Sequence, residues 1–72
     1  MIEINAPLTG TVWKIEKKTG DTVEEEDVIM ILESMKMEIP IEAEDDGTIL
    51  EICVKEGDPV TEDTVLVKIE ED

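Results

Sequence analysis

Residues 4–33 read INAPLTGTVWKIEKKTGDTVEEEDVIMILE, and residues 41–70 read IEAEDDGTILEICVKEGDPVTEDTVLVKIE. Set one above the other, they align without a gap and are identical at twelve of 30 positions. Ile4/Ile41, Ala6/Ala43, Gly10/Gly47, Gly20/Gly57, Asp21/Asp58 and Val23/Val60 are among the matches. The chain is therefore a duplication. Two copies are too few for a stacked solenoid, whose repeats bury one another in series. Two halves folded against each other about a pseudo-twofold axis fit better.

Within each copy the apolar period is two. Trp13 and Ile15 alternate with Lys14 and Glu16, and their mates Leu50 and Ile52 alternate with Glu51 and Cys53. Val28, Met30 and Leu32 form another such run, matched by Val65, Val67 and Ile69; Ile2, Ile4 and Ala6 match Ile39, Ile41 and Ala43. Short alternating runs separated by Gly10, Gly20, Gly47 and Gly57 read as antiparallel strands with one buried face. On this reading Trp13 belongs to the core, with only its indole N–H needing a partner. Gly-Asp at 20–21 and 57–58 predicts tight turns in which glycine supplies a positive φ. Glu38 and Pro40 point away from the core, and a proline there predicts an edge strand. No helical stripe competes with this pattern. The expected fold is all-β, a flattened barrel or sandwich of two antiparallel sheets, in one domain spanning residues 1–72.

Composition narrows the function classes. Six lysines and no arginine stand against 21 acids, a net charge of −15. Such a surface repels phosphate backbones and anionic lipid, which argues against nucleic-acid or membrane binding, and it favours a monomer in isolation. There is no histidine and a single cysteine, so conventional zinc sites and internal disulfides are excluded. Neither a signal peptide nor an apolar run of roughly 20 residues is evident. The expectation is a cytoplasmic protein. Cys53 shares a face with Glu51, so it is expected to be partly exposed and poorly reactive, its thiolate disfavoured by the acid.

The segment that the duplication does not copy is Ser34–Met35–Lys36–Met37–Glu38–Ile39–Pro40. If the strands on either side pair, residues 34–37 form a hairpin tip, on the symmetry axis and as far from the core as this fold permits. A lysine in a turn is most often just solvated, and methionine is most often core filler. Methionine on both sides of an exposed lysine is costly for an ordinary turn and points to a use for the lysine.

ESMKM (33–37) resembles the attachment motif of biotin carboxyl carrier domains, and APLTG, GD-T-V, GD-P-V and the duplicated halves are similar to the biotinyl/lipoyl attachment family along essentially the whole chain. The resemblance implies a fold of two four-stranded antiparallel sheets with the modified lysine at a hairpin tip. It implies that Lys36 is joined to biotin by a biotin protein ligase, with Met35 and Met37 as flanking motif residues and Glu33 and Ser34 as tip context. The carrier would then serve a biotin carboxylase and a carboxyltransferase, as in acetyl-CoA carboxylase or related enzymes, catalysing neither step itself. Its one serine, Ser34, has no histidine to activate it. Where this chain has Ser34, Glu26 and Asp63, relatives often have alanine, glycine and glycine. Glutamate resists the left-handed backbone that glycine accepts, so the turn at Glu26 is expected either to differ or to carry strain. The protruding loop of some bacterial carriers has no counterpart.

Two other readings compete. A lipoyl carrier of a 2-oxo acid dehydrogenase-type complex would use the same fold and lysine with lipoate attached, but its motif typically reads Asp-Lys-Ala. An unmodified acidic interaction module would rest on Glu24–Glu25–Glu26–Asp27, whose simpler account is a solvated turn; the spacing of an EF-hand is absent.

Overall fold

The computed structural model describes residues 1–71. Eight strands follow in order: β1 (Ile2–Asn5), β2 (Gly10–Ile15), β3 (Thr22–Val23), β4 (Val28–Ser34), β5 (Met37–Glu42), β6 (Gly47–Ile52), β7 (Pro59–Val60) and β8 (Val65–Glu71). They build two four-stranded antiparallel sheets, ordered β1-β8-β6-β3 and β5-β4-β2-β7. Exchanging β1 with β5, β2 with β6, β3 with β7 and β4 with β8 turns one order into the other. The duplication in the sequence is thus a twofold in space. Each sheet takes two strands from each half, so neither copy has a sheet of its own.

The core is almost wholly aliphatic. Ile4, Val12, Val23, Ile29, Met30, Leu32, Ile49, Val60, Leu66, Val67 and Ile69 lie in it, and among the described residues it holds no polar or charged side chain. Burial of such side chains, about 1.5–3 kcal/mol each, is the main force holding so short a chain together.

Trp13 is not in that core. It is 49% exposed, and its mate Leu50 is 44% exposed. The cause is a β-bulge. In the β2–β4 ladder Val12 faces Leu32 and Lys14 faces Ile31, leaving Trp13 as the extra residue; in the β6–β8 ladder Ile49 and Glu51 bracket Leu50 in the same way. A bulge inserts one residue and shifts the phase of alternation beyond it. Val12 rather than Trp13 therefore shares the inner face with Ile15. A second pair of bulges sits at Ile29 and Leu66, where pairing steps from Val28 to Met30 and from Val67 to Val65. There two consecutive residues, Ile29–Met30 and Leu66–Val67, are buried together.

Four β-turns follow one plan. The backbone N–H groups of Asp21, Asp27, Asp58 and Thr64 donate to the carbonyls three residues earlier, at Lys18, Glu24, Lys55 and Thr61. The same four residues clasp the turn from the other side: Asp21, Asp27 and Asp58 carboxylates and the Thr64 hydroxyl accept from the N–H groups of Lys18, Glu24, Lys55 and Thr61. The third turn residue has φ 94° at Gly20 and φ 92° at Gly57, as the Gly-Asp pairs predict. At Glu26 it has φ 75°, whereas Asp63 does not adopt a positive φ. The first copy keeps the left-handed turn without its glycine, and the second changes the turn. Glu26→Gly should therefore stabilise the fold by about 1 kcal/mol, while Asp63→Gly should not; paired urea melts of the two variants check this.

Candidate functional site

β4 and β5 pair from Val28↔Glu42 to Ser34↔Met37, leaving Met35 and Lys36 alone as the connection. A two-residue link between antiparallel strands favours a turn with positive φ at both positions, which matches the right-handed twist of the strands. Met35 has φ 52° and Lys36 φ 65°. Asparagine and glycine are the residues such a turn prefers, and a long side chain there costs on the order of 1 kcal/mol. The tip therefore holds two residues that its own backbone geometry disfavours. Strain of this kind concentrates where a side chain is needed for something other than folding.

The surroundings fix the turn and leave its side chains free. The Ser34 hydroxyl donates to the Thr9 carbonyl at 2.8 Å, tying the base of the hairpin to the loop between β1 and β2. Gly10 lies beneath it: a Cβ there would stand 2.6 Å from the Glu33 carbonyl oxygen and 3.2 Å from the Ser34 Cβ. Beyond the base, Met35 is 90% exposed, Met37 is 57% exposed and Lys36 is exposed. Among the described residues the ion pairs join Met1 to Glu71, Lys14 to Glu16 and Lys68 to Glu51, so Lys36 is in none. Glu33 and Glu38 face one another directly across β4 and β5, one step below the Ser34–Met37 pair.

All five predicted site residues thus gather at one apex: Lys36 and Met35 in the turn, Ser34 and Met37 closing it, Glu33 below. The apex is not on the symmetry axis. Strand exchange carries the β4–β5 hairpin onto the β8–β1 pair, where Met1 and Glu71 approach to 3.9 Å. That end is reached down β5: five residues past its last residue, Gly47 pairs with Glu71. Lys36 and the Met1–Glu71 pair therefore occupy opposite ends of a body with extents of 34 × 18 × 17 Å.

Sequence reasoning missed the double left-handed turn, although the two-residue gap between the runs ending at Ser34 and starting at Met37 carries the signal. The Ser34–Thr9 bond had no signal in the sequence. Elsewhere, the acidic run 24–27 is a structural turn, with Asp27 as its clasp and the Asp46 carboxylate accepting from the Glu25 N–H at 2.8 Å. Cys53 is exposed, and its N–H donates to the Leu66 carbonyl. Partial burial pushes its thiol up from the ordinary value, Glu51 and Glu3 add to this, and Lys68 opposes it. Alkylation by iodoacetamide at pH 8 should accordingly run roughly two- to fivefold slower on the folded protein than on the urea-unfolded chain, measured by intact mass.

A family model described as "Biotin-requiring enzyme" matches residues 1–69. A biotin/lipoyl attachment protein of Bacillus subtilis is 46% identical over 41 residues, 57% of this chain and 56% of the relative. The biotin carboxyl carrier protein of Streptococcus mutans is 53% identical over 38 residues, 53% of this chain and 29% of the relative. The chain thus spans well under two thirds of the length of these curated relatives. Among solved structures, the lipoyl domain of the 2-oxoglutarate dehydrogenase complex from Azotobacter vinelandii superposes with a TM-score of 0.85 at 36% identity, covering 99% of this chain and 98% of that one. Matched over nearly its full length, and carrying an exposed lysine on the hairpin joining its two halves, the chain belongs to the biotinyl/lipoyl attachment family.

Proposed function

We propose that this chain is a biotin carboxyl carrier domain, with biotin attached to Lys36. The observation that carries the reading is the apex itself: an exposed lysine, in no ion pair among the described residues, held between two exposed methionines in a turn whose backbone favours neither occupant. The residues present fit the group. A biotin protein ligase needs an amine that can enter its active site without unfolding the substrate, and a two-residue tip presents one. The neutral amine attacks the carbonyl carbon of biotin activated by ATP as an acyl-phosphate anhydride, the C–O bond to the phosphate breaks, the nucleotide phosphate leaves, and the nitrogen gives up a proton as the amide forms. The tip loses its positive charge and keeps its methionines.

Attached biotin supplies the carboxyl acceptor, loaded by a biotin carboxylase and discharged by a carboxyltransferase. The chain's own part is positional. The clamp from Ser34 to Thr9 and the close approach at Gly10 hold the hairpin base still. Flexibility is left to the lysine stem, and tethering raises the effective concentration of the group at successive active sites.

Lipoate is the alternative, because a lipoyl domain shares this fold. Met35–Lys36–Met37 favours biotin, where lipoyl sites typically read Asp-Lys-Ala. Incubating the protein with ATP and either a biotin protein ligase plus biotin or a lipoate ligase plus lipoate separates the two. Mass gain with biotin alone is expected; gain with lipoate alone would reverse the assignment.

A further inference from the structure

The two sheets are related by the duplication, yet their outer faces have opposite chemistry. On the β5-β4-β2-β7 sheet, Lys14 faces Ile31 and Ile31 faces Pro40, with Trp13 bulged out beside them. The symmetric row on the β1-β8-β6-β3 sheet is Glu51, Lys68 and Glu3, with Leu50 in the bulge. There Lys68 and Glu51 pair at 3.8 Å. The second face is thus a solvated charge ladder of an ordinary kind. The first has isoleucine in place of the central lysine and proline in place of one flanking glutamate, and it exposes half of the chain's only aromatic residue.

We propose that the outer face of the β5-β4-β2-β7 sheet is the docking surface for the biotin carboxylase that loads the attached group. The inference rests on the carrier reading above. Trp13, Ile31 and Pro40 form its apolar centre. Glu33, Glu38 and Glu42 line its edge along β4 and β5, and Lys14, the cation of the row, is already engaged by Glu16 at 3.5 Å. The complementary surface is an apolar pocket for an indole, ringed by lysine or arginine. A second copy of this chain does not fit, since it would set acid against acid on a protein of net charge −15. The face also lies where a loading enzyme needs a grip. Ile31 and Pro40 are five and four residues from Lys36 along strands that rise about 3.3 Å per residue, so a partner holding them has its active centre within reach of the tip. A half-exposed tryptophan on the same face as an acidic edge is an arrangement in which one aromatic carries much of an interface's energy.

The experiment compares Trp13→Ser with Leu50→Ser, which removes the matching bulge residue from the opposite sheet. Both proteins are biotinylated, checked for wild-type circular dichroism, and titrated as substrates of a purified bacterial biotin carboxylase with ATP and bicarbonate. Trp13→Ser should raise KM about tenfold with little change in kcat, and Leu50→Ser should change KM less than twofold. The fluorine resonance of 5-fluorotryptophan at position 13 should broaden when unlabelled carboxylase is added. Unchanged KM for Trp13→Ser, equal effects of the two variants, slower loading by the ligase alone, or a dimer that Trp13→Ser abolishes would each overturn the docking surface. Those results are distinct from failure of the carrier reading, in which the wild type takes up no biotin at all.

Discussion

Lys36→Ala should take up no biotin, with label falling to background after incubation with biotin protein ligase, biotin and ATP. Five other lysines, at 14, 17, 18, 55 and 68, remain in the variant. None of them lies at a two-residue hairpin tip. Lys14 and Lys68 are held in ion pairs on the sheet faces, and Lys18 and Lys55 open the clasped turns. If exposure of an amine were enough for modification, loss of one site in six would lower the signal modestly; if the apex is required, it vanishes. Folding should be indifferent to the change. The Lys36 side chain is exposed and supports no packing, so the melting temperature of Lys36→Ala should stay within about 2 °C of wild type, in line with surface substitutions generally. Biotin on another lysine, or a large fall in stability, would contradict the placement of this residue.

The second large effect concerns the fold. Gly47 opens β6 and is buried, and a Cβ there would collide with the Glu70 carbonyl oxygen and stand 2.8 Å from the Ile69 Cγ2. The obstacle is backbone from a strand in the middle of its sheet, so nothing flexible can yield. Gly47→Ala should cost about 3 kcal/mol by overpacking. A domain of this size has only about 3–5 kcal/mol in hand, so the variant should be largely unfolded or melt at least about 15 °C lower by circular dichroism. Gly20→Ala is the comparison. Its Cβ meets nothing within 4 Å, and only the φ of 94° opposes it, so its cost should be nearer 1 kcal/mol. Equal, small effects at both positions would show that β6 and β8 do not approach as described.

The contrast between these glycines marks how much a reader of the sequence can see. Gly20 was readable, because Gly-Asp between two alternating runs has a local meaning. Gly47 was visible only as a repeat position, because its reason is a carbonyl 23 residues away. The same division runs through the strands. The gapless repeat disclosed three alternating strands in each half and a twofold, and it set the unduplicated tip apart; the count of two four-stranded sheets came from the family resemblance, and the two-residue strands β3 and β7 were not read from the repeat. It did not disclose the bulges. Trp13 alternates with Lys14 as a core residue should, and only the pairing of Val12 with Leu32 and Lys14 with Ile31 turns it outward. Leu50 bulges in the same way, so the sequence carried the irregularity twice and both copies read as regular. Alternation is a local rule, whereas a bulge is decided by the partner strand.

The site was legible for a different reason. Lys36, Met35 and Met37 were conspicuous as a cation and exposed apolar groups in an acidic chain, before any coordinates. The strain in their turn follows from the two-residue gap between β4 and β5, which is a local signal, whereas the hydrogen bond from Ser34 to Thr9 spans 25 residues of sequence and needed the fold. The faces of the two sheets, alike by descent and unlike in chemistry, also emerge only when Ile31 and Lys68 are seen to occupy equivalent rows.

The most direct test of the whole account is the mass of the protein purified from its native host, followed by peptide mapping of the modified segment. The account predicts one biotinyl group per chain, on the peptide containing Met35–Lys36–Met37. An unmodified chain, a lipoyl group, or biotin anywhere else would contradict it.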